Sequence, residues 1–137
     1  MIRLSSGDFQ KILLHAKVSL PNEACGLLAG VEKNGVRDVQ KVYLLTNTDA
    51  SNEHFSMDPC EHLAAVKDMR ENGLRPLGNW HSHPETPSRP SEEDVRLAYD
   101  PTASYLILSL ESKNAPNLNA FRIQNGAYEW EILELYD

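Results

Sequence analysis

Three prolines within seven residues, Pro84, Pro87 and Pro90, limit how this chain can fold more than any other feature. A proline ring fixes φ and removes a backbone donor, so neither a helix interior nor a central strand crosses such a segment. On its N-terminal side, Leu74 to His83 reads as a strand running into a loop. On its C-terminal side, Ser91 starts a helix expected from Glu92 to about Tyr99, closed by Asp100-Pro101. The loop can fold back and bring its two ends together, His81-Ser-His83 from one and Ser91-Glu-Glu-Asp94 from the other.

The remaining elements follow from local signals. A helix follows Ser5-Ser6, with Phe9, Ile12, Leu13 and Ala16 at helical spacing and Ser5-x-x-Asp8 resembling a capping box. It should stop by Pro21-Asn22. Ala24 to Gly30 is an apolar run suited to a buried strand, and Asn34-Gly35 signals a hairpin returning through roughly Val36 to Leu45. A short extended piece, His54 to Met57, leads to a helix with Asp58 at the N-cap, Pro59 in its first turn and Glu61 completing a capping box. Gly73 ends that helix. Ser104 to Leu110 is a buried strand candidate, and Leu118 to Gln124 pairs with Tyr128 to Leu135 around Asn125-Gly126. The mixture predicts an α/β chain of the α+β kind, a sheet packed by a few helices. No repeat or long linker divides it, so residues 1–137 are expected to form one domain.

Charge narrows the partners. Thirteen Lys and Arg face twenty Asp and Glu, for a net charge of −7. Phosphate binding needs a basic surface, so nucleic acid is not expected as a partner. Two cysteines, Cys25 and Cys60, are too few for a disulfide scaffold and read as reduced thiols. With no signal-like segment and no apolar run of membrane-spanning length, the expected location is cytoplasmic.

His81 and His83 stand two apart in an extended segment, so both imidazoles point to one face while Ser82 points away. Converging imidazoles suit Zn²⁺, and a catalytic zinc site takes a third protein ligand and keeps an open position. Asp94 can be that ligand, and Ser91 shares its face of the helix start. A general base is still required, and Glu23 is the candidate, a lone carboxylate at the entry to a buried apolar strand. Each part has an ordinary reading too. A lone H-x-H is more often structural, Ser91-x-x-Asp94 is also a capping box, and Glu23 suits an exposed position before a strand. Glu85, Glu92 and Glu93 read as solvated, His15, His54 and His62 as structural or surface residues, and Cys25 as a small buried hydrophobe that can lie near the site.

Taken together, the residues resemble the JAMM (MPN+) zinc metallopeptidases, in particular their stand-alone prokaryotic members. That family's pattern is a distant Glu, then H-x-H-P, six residues and S-x-x-D. Here His81-Ser-His83-Pro84 is followed by Glu85 to Pro90 and then Ser91-Glu-Glu-Asp94, with Asn22-Glu23 to Gly30 and His54 to Pro59 similar to further family segments. The resemblance implies a curved mixed β-sheet flanked by helices, the cytidine deaminase-like MPN/JAMM fold. It implies one Zn²⁺ on His81, His83 and Asp94 with water as fourth ligand, Glu23 as general acid/base, and Ser91 as a donor to the oxyanion. It further implies cleavage of a peptide or isopeptide bond after the C-terminal tail of a ubiquitin-like, sulfur-carrier-type protein. Relatives lacking the metal residues are non-catalytic scaffolds that assemble in pairs, which makes a binding module the alternative function and a homodimer a candidate assembly. A deaminase reading lacks its P-C-x-x-C pair. The RadC-like DNA-repair relatives continue H-x-H-P with Ser-Gly, where this chain has Glu85-Thr86.

Overall fold

A computed structural model describes all 137 residues. Eight strands form one sheet, in the order β7-β6-β5-β4-β2-β3-β1-β8. They are β1 (Ile2–Ser5), β2 (Cys25–Lys33), β3 (Val36–Leu45), β4 (Arg75–His83), β5 (Ser104–Ser109), β6 (Asn117–Gln124), β7 (Ala127–Glu131) and β8 (Leu133–Tyr136). The helices are α1 (Ser6–Ser19), α2 (Pro59–Glu71) and α3 (Glu92–Arg96). The two rims of the sheet, β7 and β8, are separated in sequence by Ile132 alone. The sheet therefore curls until it is nearly a barrel, and its mixed α+β character is the one expected.

Local chemistry explains most element boundaries. Asn34 and Gly35 both take positive φ, the conformation a tight two-residue hairpin requires, and β2 and β3 pair antiparallel on either side. The Ser5 hydroxyl accepts from the Asp8 N–H to cap α1, and Asp58 accepts from the Cys60 and Glu61 N–H groups to cap α2. The expected box at α2 does not close. Glu61 turns its carboxylate to Thr46 instead, accepting from its N–H at 2.7 Å and its hydroxyl at 2.9 Å. This ties α2 to the end of β3.

Two expectations are corrected. The helix after Ser91 ends at Arg96 and not near Tyr99. Downstream, the Asp100 side chain caps the Thr102 N–H and its carbonyl accepts from the Tyr105 hydroxyl, which draws the chain away from a helical path. The extended piece from His54 to Met57 joins no ladder beyond one isolated bridge, Met57 to Asn47. The run from Tyr128 to Leu135 is broken at Ile132, and its second half leaves β7 to pair parallel with β1 as β8.

Alternation along β2 divides the core. Ala24 and Leu28 point into a cluster with Ile2, Leu4, Ile12 and Trp80 under α1. Cys25, Leu27 and Ala29 point to the other face and pack with Tyr43, Ala65 and Met69 under α2. Trp80 is fully buried, and its indole N–H donates to the Tyr43 carbonyl at 3.1 Å. That reach passes over Gly26, where a Cβ would lie 1.8 Å from the Tyr43 oxygen and 2.2 Å from Trp80 Nε1. Neighbouring β4 and β5 run parallel, so the chain must cross over between them. The proline loop and α3 make that crossing, and they arrive beside the C-terminal end of β4.

Candidate active site

The last residues of β4 carry the histidines. His81 is paired in register with Cys25 of β2 and Ile107 of β5. Both imidazoles are buried and point to the same face, while Ser82, on the opposite face, accepts from the Ala24 N–H at 2.8 Å. The Ser91 capping box closes fully. Its hydroxyl accepts from the Asp94 N–H at 3.0 Å, and its own N–H donates to Asp94 Oδ2 at 2.9 Å. The ordinary and the functional readings of Ser91-x-x-Asp94 hold together, because the cap aims the Asp94 carboxylate at the histidines.

Three ligand-type atoms meet there. His81 Nε2 lies 3.1 Å from His83 Nε2 and 3.1 Å from Asp94 Oδ2, and the remaining separation, His83 Nε2 to Asp94 Oδ2, is 3.0 Å. The His83 Nδ1–H donates to the Pro87 carbonyl at 2.9 Å, which leaves the Nε2 lone pair of the neutral ring facing inward. Two imidazole nitrogens this close to each other and to a carboxylate need a cation or proton among them. Ligand atoms around a tetrahedral zinc with bonds of about 2.0–2.1 Å stand roughly 3.3 Å apart, close to the observed spacing. The donor set, two nitrogens and one oxygen, therefore fits a divalent cation with a position left open.

Electrostatics agree with that fit. Burial disfavours the Asp94 carboxylate, but the charge of His81 and hydrogen bonds from both histidines and Ser91 overcome it and hold the group well below the usual carboxylate range. Burial likewise disfavours protonated His83, yet its bonds to Asp94 and Pro87 and the charges of Asp94 and Glu23 raise it above an ordinary histidine. Asp94 is thus held ionised, the form in which a carboxylate binds a metal.

Glu23 lies just before β2. Continuing the Cys25–His81 register two residues further sets Glu23 opposite His83. Its side chain is buried and Oε1 has no hydrogen-bond partner. Burial pushes the carboxyl up to about 8, with His83 drawing it part of the way back. Backbone contacts fix its place: the Glu23 N–H donates to the Ser51 carbonyl at 2.7 Å, and the Asn47 amide donates to the Glu23 carbonyl at 3.1 Å. Cys25 is fully buried, and burial followed by the charge of Glu23 pushes its thiol up to about 12, which makes it unreactive packing.

Two contributors are not among the expected site residues, although Phe55 lies in the segment His54–Pro59 that is similar to a family stretch. Phe55 stacks on His81 with ring centroids 4.8 Å apart. Asn47 gathers the segment around it, donating to the carbonyls of Glu23 and His54 and accepting from the N–H groups of Asp49 and Ser56. His54, read as a structural or surface residue, pairs with Asp49 at 3.1 Å and stays outside the ligand set.

Comparison with known proteins decides the family. The model describing prokaryotic homologs of the JAB domain matches residues 5–124. The chain belongs to that family. A CysO-cysteine peptidase from Mycobacterium tuberculosis is 34% identical to this JAB-domain chain over 126 residues, covering 92% of this chain and 85% of the relative. A solved structure from Desulfitobacterium hafniense is 52% identical, with a TM-score of 0.92, covering 100% of this chain and 94% of that one. A JAB1/MPN domain protein from Archaeoglobus fulgidus is 26% identical, with a TM-score of 0.62 and 100% coverage of both chains. The fold is thus the JAB1/MPN fold, and the activity named for the mycobacterial relative is that of a peptidase. No helix here is long and apolar enough to cross a membrane.

Proposed function

We propose that this chain is a zinc-dependent metallopeptidase, hydrolysing a peptide or isopeptide bond after the C-terminal tail of a ubiquitin-like, sulfur-carrier-type protein. The observation that carries the reading is a buried, unpartnered carboxylate, Glu23, opposite one corner of the His81–His83–Asp94 triangle. His81, His83 and Asp94 would hold the ion. When bound, Zn²⁺ supplies Lewis acidity, acidifying water and polarising a carbonyl.

The chain's own groups move the proton. Glu23 takes it from the attacking water as the new C–O bond forms, and gives it to the departing nitrogen as the C–N bond breaks. Burial strengthens this carboxyl's hold on a proton and a cation beside it would weaken that hold, so the group can both take the proton and give it up. The Ser91 hydroxyl accepts from the Asp94 N–H, so its own hydrogen remains free to donate to the oxyanion. Pro87 fixes the tautomer of His83, and Phe55 braces the His81 ring.

The substrate class is supported by the mycobacterial relative, whose name is that of a peptidase acting on CysO-cysteine. The test is metal content together with hydrolysis of a ubiquitin-like protein bearing a C-terminal extension, for the wild type, Glu23→Gln and His81→Ala. The expected result is about one zinc per chain and loss of hydrolysis in both variants. Undiminished hydrolysis in either refutes the assignment. Tight binding of the carrier by a protein that takes up no metal and never cleaves would establish a scaffold instead.

A further inference from the structure

Beside His81 and Asp94 lies a cavity of about 230 Å³. Asn79 stands two residues before His81 on β4 and so shares its face, which carries the cavity down the sheet from the ligands. The segment His54–Met57 lines it, as do Leu97 at the end of α3, Tyr105 of β5 and Ile123 of β6. Tyr105 and Ile123 belong to the buried core, whereas Leu97 is 45% exposed. Apart from the two ligands, and Phe55, which also braces the His81 ring, none of these residues has a part in the chemistry described above.

Size and lining limit the occupant. The volume falls below the roughly 300–1,000 Å³ of pockets built for whole small molecules. It exceeds the ~150 Å³ of an apolar cavity that takes up benzene. One side chain fits. A carboxylate entering would meet Glu93 and Asp94, both of which line the cavity. Those two carboxylates would draw an ammonium, but Asp94 is committed to the ligand triangle, and the surfaces of Phe55, Met57, Tyr105 and Ile123 would strip its water.

We propose that this cavity is a specificity subsite, receiving one uncharged, predominantly apolar substrate side chain next to the cleaved bond, with Phe55, Met57 and Leu97 setting the largest side chain admitted. The inference rests on the hydrolytic reading above and adds to it a discriminating pocket. The side chain comes either from the residue released or from the end of the carrier's tail. The chemistry of the pocket is the same for both.

The test uses the zinc-loaded full chain and a ubiquitin-like carrier with a one-residue C-terminal extension. One series varies the extension through Gly, Ala, Leu, Met, Phe, Asp and Lys, and a second varies the last two tail positions in the same way. At one position, Leu, Met or Phe should raise kcat/KM over Gly by at least about ten-fold, the lower end of what one methylene in a fitted pocket discriminates, with Asp and Lys below Gly. Leu97→Trp, which fills the cavity from an exposed position, should reverse that order in favour of Gly and Ala. Leu97→Ala should shift it towards Phe. The position that responds identifies which side of the bond the pocket reads. Equal rates for all side chains at every position, with Leu97→Trp unchanged in preference, overturn the subsite while leaving the peptidase intact. Should no substrate be cleaved, the hydrolytic reading fails separately, and methyl NMR of Met57, Leu97 and Ile123 during titration with N-acetyl-methionine amide decides the cavity. Shifts at those methyls, absent with N-acetyl-aspartate amide, support it, and their absence overturns it.

Discussion

Replacing Glu23 by Gln in the metal-free protein should change how stability depends on pH, in a direction and amount that the structure sets. The Glu23 carboxyl is buried with an unpartnered Oε1, and burial moves it from an ordinary 4.5 to about 8. The folded chain therefore keeps this proton over a window in which the unfolded chain has released it. The stability this group contributes is fully present below about pH 4.5 and is lost as pH rises towards 8. At about 1.4 kcal/mol for each pH unit between the two values, the ceiling is roughly 5 kcal/mol, of which about 3 kcal/mol falls between pH 5.5 and 8.5. Gln keeps the shape and cannot ionise, so subtracting its curve from the wild type's removes the titrating groups that do not interact with Glu23 and leaves its own titration with its coupling to His83 and Asp94. Urea unfolding at intervals across that range reads the effect. The wild type should lose about 1 M or more in midpoint relative to Glu23→Gln, given slopes of 1–3 kcal/mol/M. Adding Zn²⁺ should flatten the wild-type slope, because a cation beside the carboxylate favours its ionised form. Parallel curves for the two metal-free proteins would refute the argument that burial holds Glu23 protonated.

Three further expectations follow from the same geometry. Asp94→Asn weakens one corner of the ligand triangle and the bond received from the Ser91 N–H, so zinc measured after dialysis should fall well below one per chain, and the rise in melting temperature on adding Zn²⁺ should largely vanish. Ser91→Ala removes both a cap and a hydroxyl donor: about 1 kcal/mol of stability and about 10²–10³ in kcat with KM little changed, and a change confined to KM would argue against the oxyanion role. Gly26→Ala drives a methyl into the Tyr43 carbonyl and the Trp80 indole, and thermal unfolding should report a loss of about 2–4 kcal/mol with altered Trp80 fluorescence.

Signals within a few residues of one another translated well into structure. Asn34-Gly35 fixed a hairpin because positive φ at two successive residues has few other uses, and Asp58-Pro59 fixed a helix start by capping chemistry. The site was legible for a related reason: the His81–His83 spacing and the Ser91–Asp94 cap are both local, and the prolines bound the gap between them. What stayed hidden depends on distant partners. β1 and β8 have four residues each, too few for a periodic pattern, and each exists through parallel pairing across the chain. Glu23 was visible as an unusual carboxylate, but its station opposite His83 is a matter of register between β2 and β4. Phe55 and Asn47 sit in an irregular segment, where no periodicity marks the stacking on His81 or the four bonds gathered by one amide.

The single residue between β7 and β8 has a mechanical effect. An open sheet frays from its two outermost strands independently, and such fraying sets the fastest amide exchange in many proteins. Here the outermost strands are tethered to each other through Ile132, and the Ile2 N–H donates to the Ile132 carbonyl at 2.9 Å. Peeling β8 from β1 therefore pulls on the end of β7, and the chain's first and last segments loosen together or not at all. Removing β8 would not shorten an edge; it would cut a hoop, and the margin of β1 beneath it would be bared for another chain to pair with.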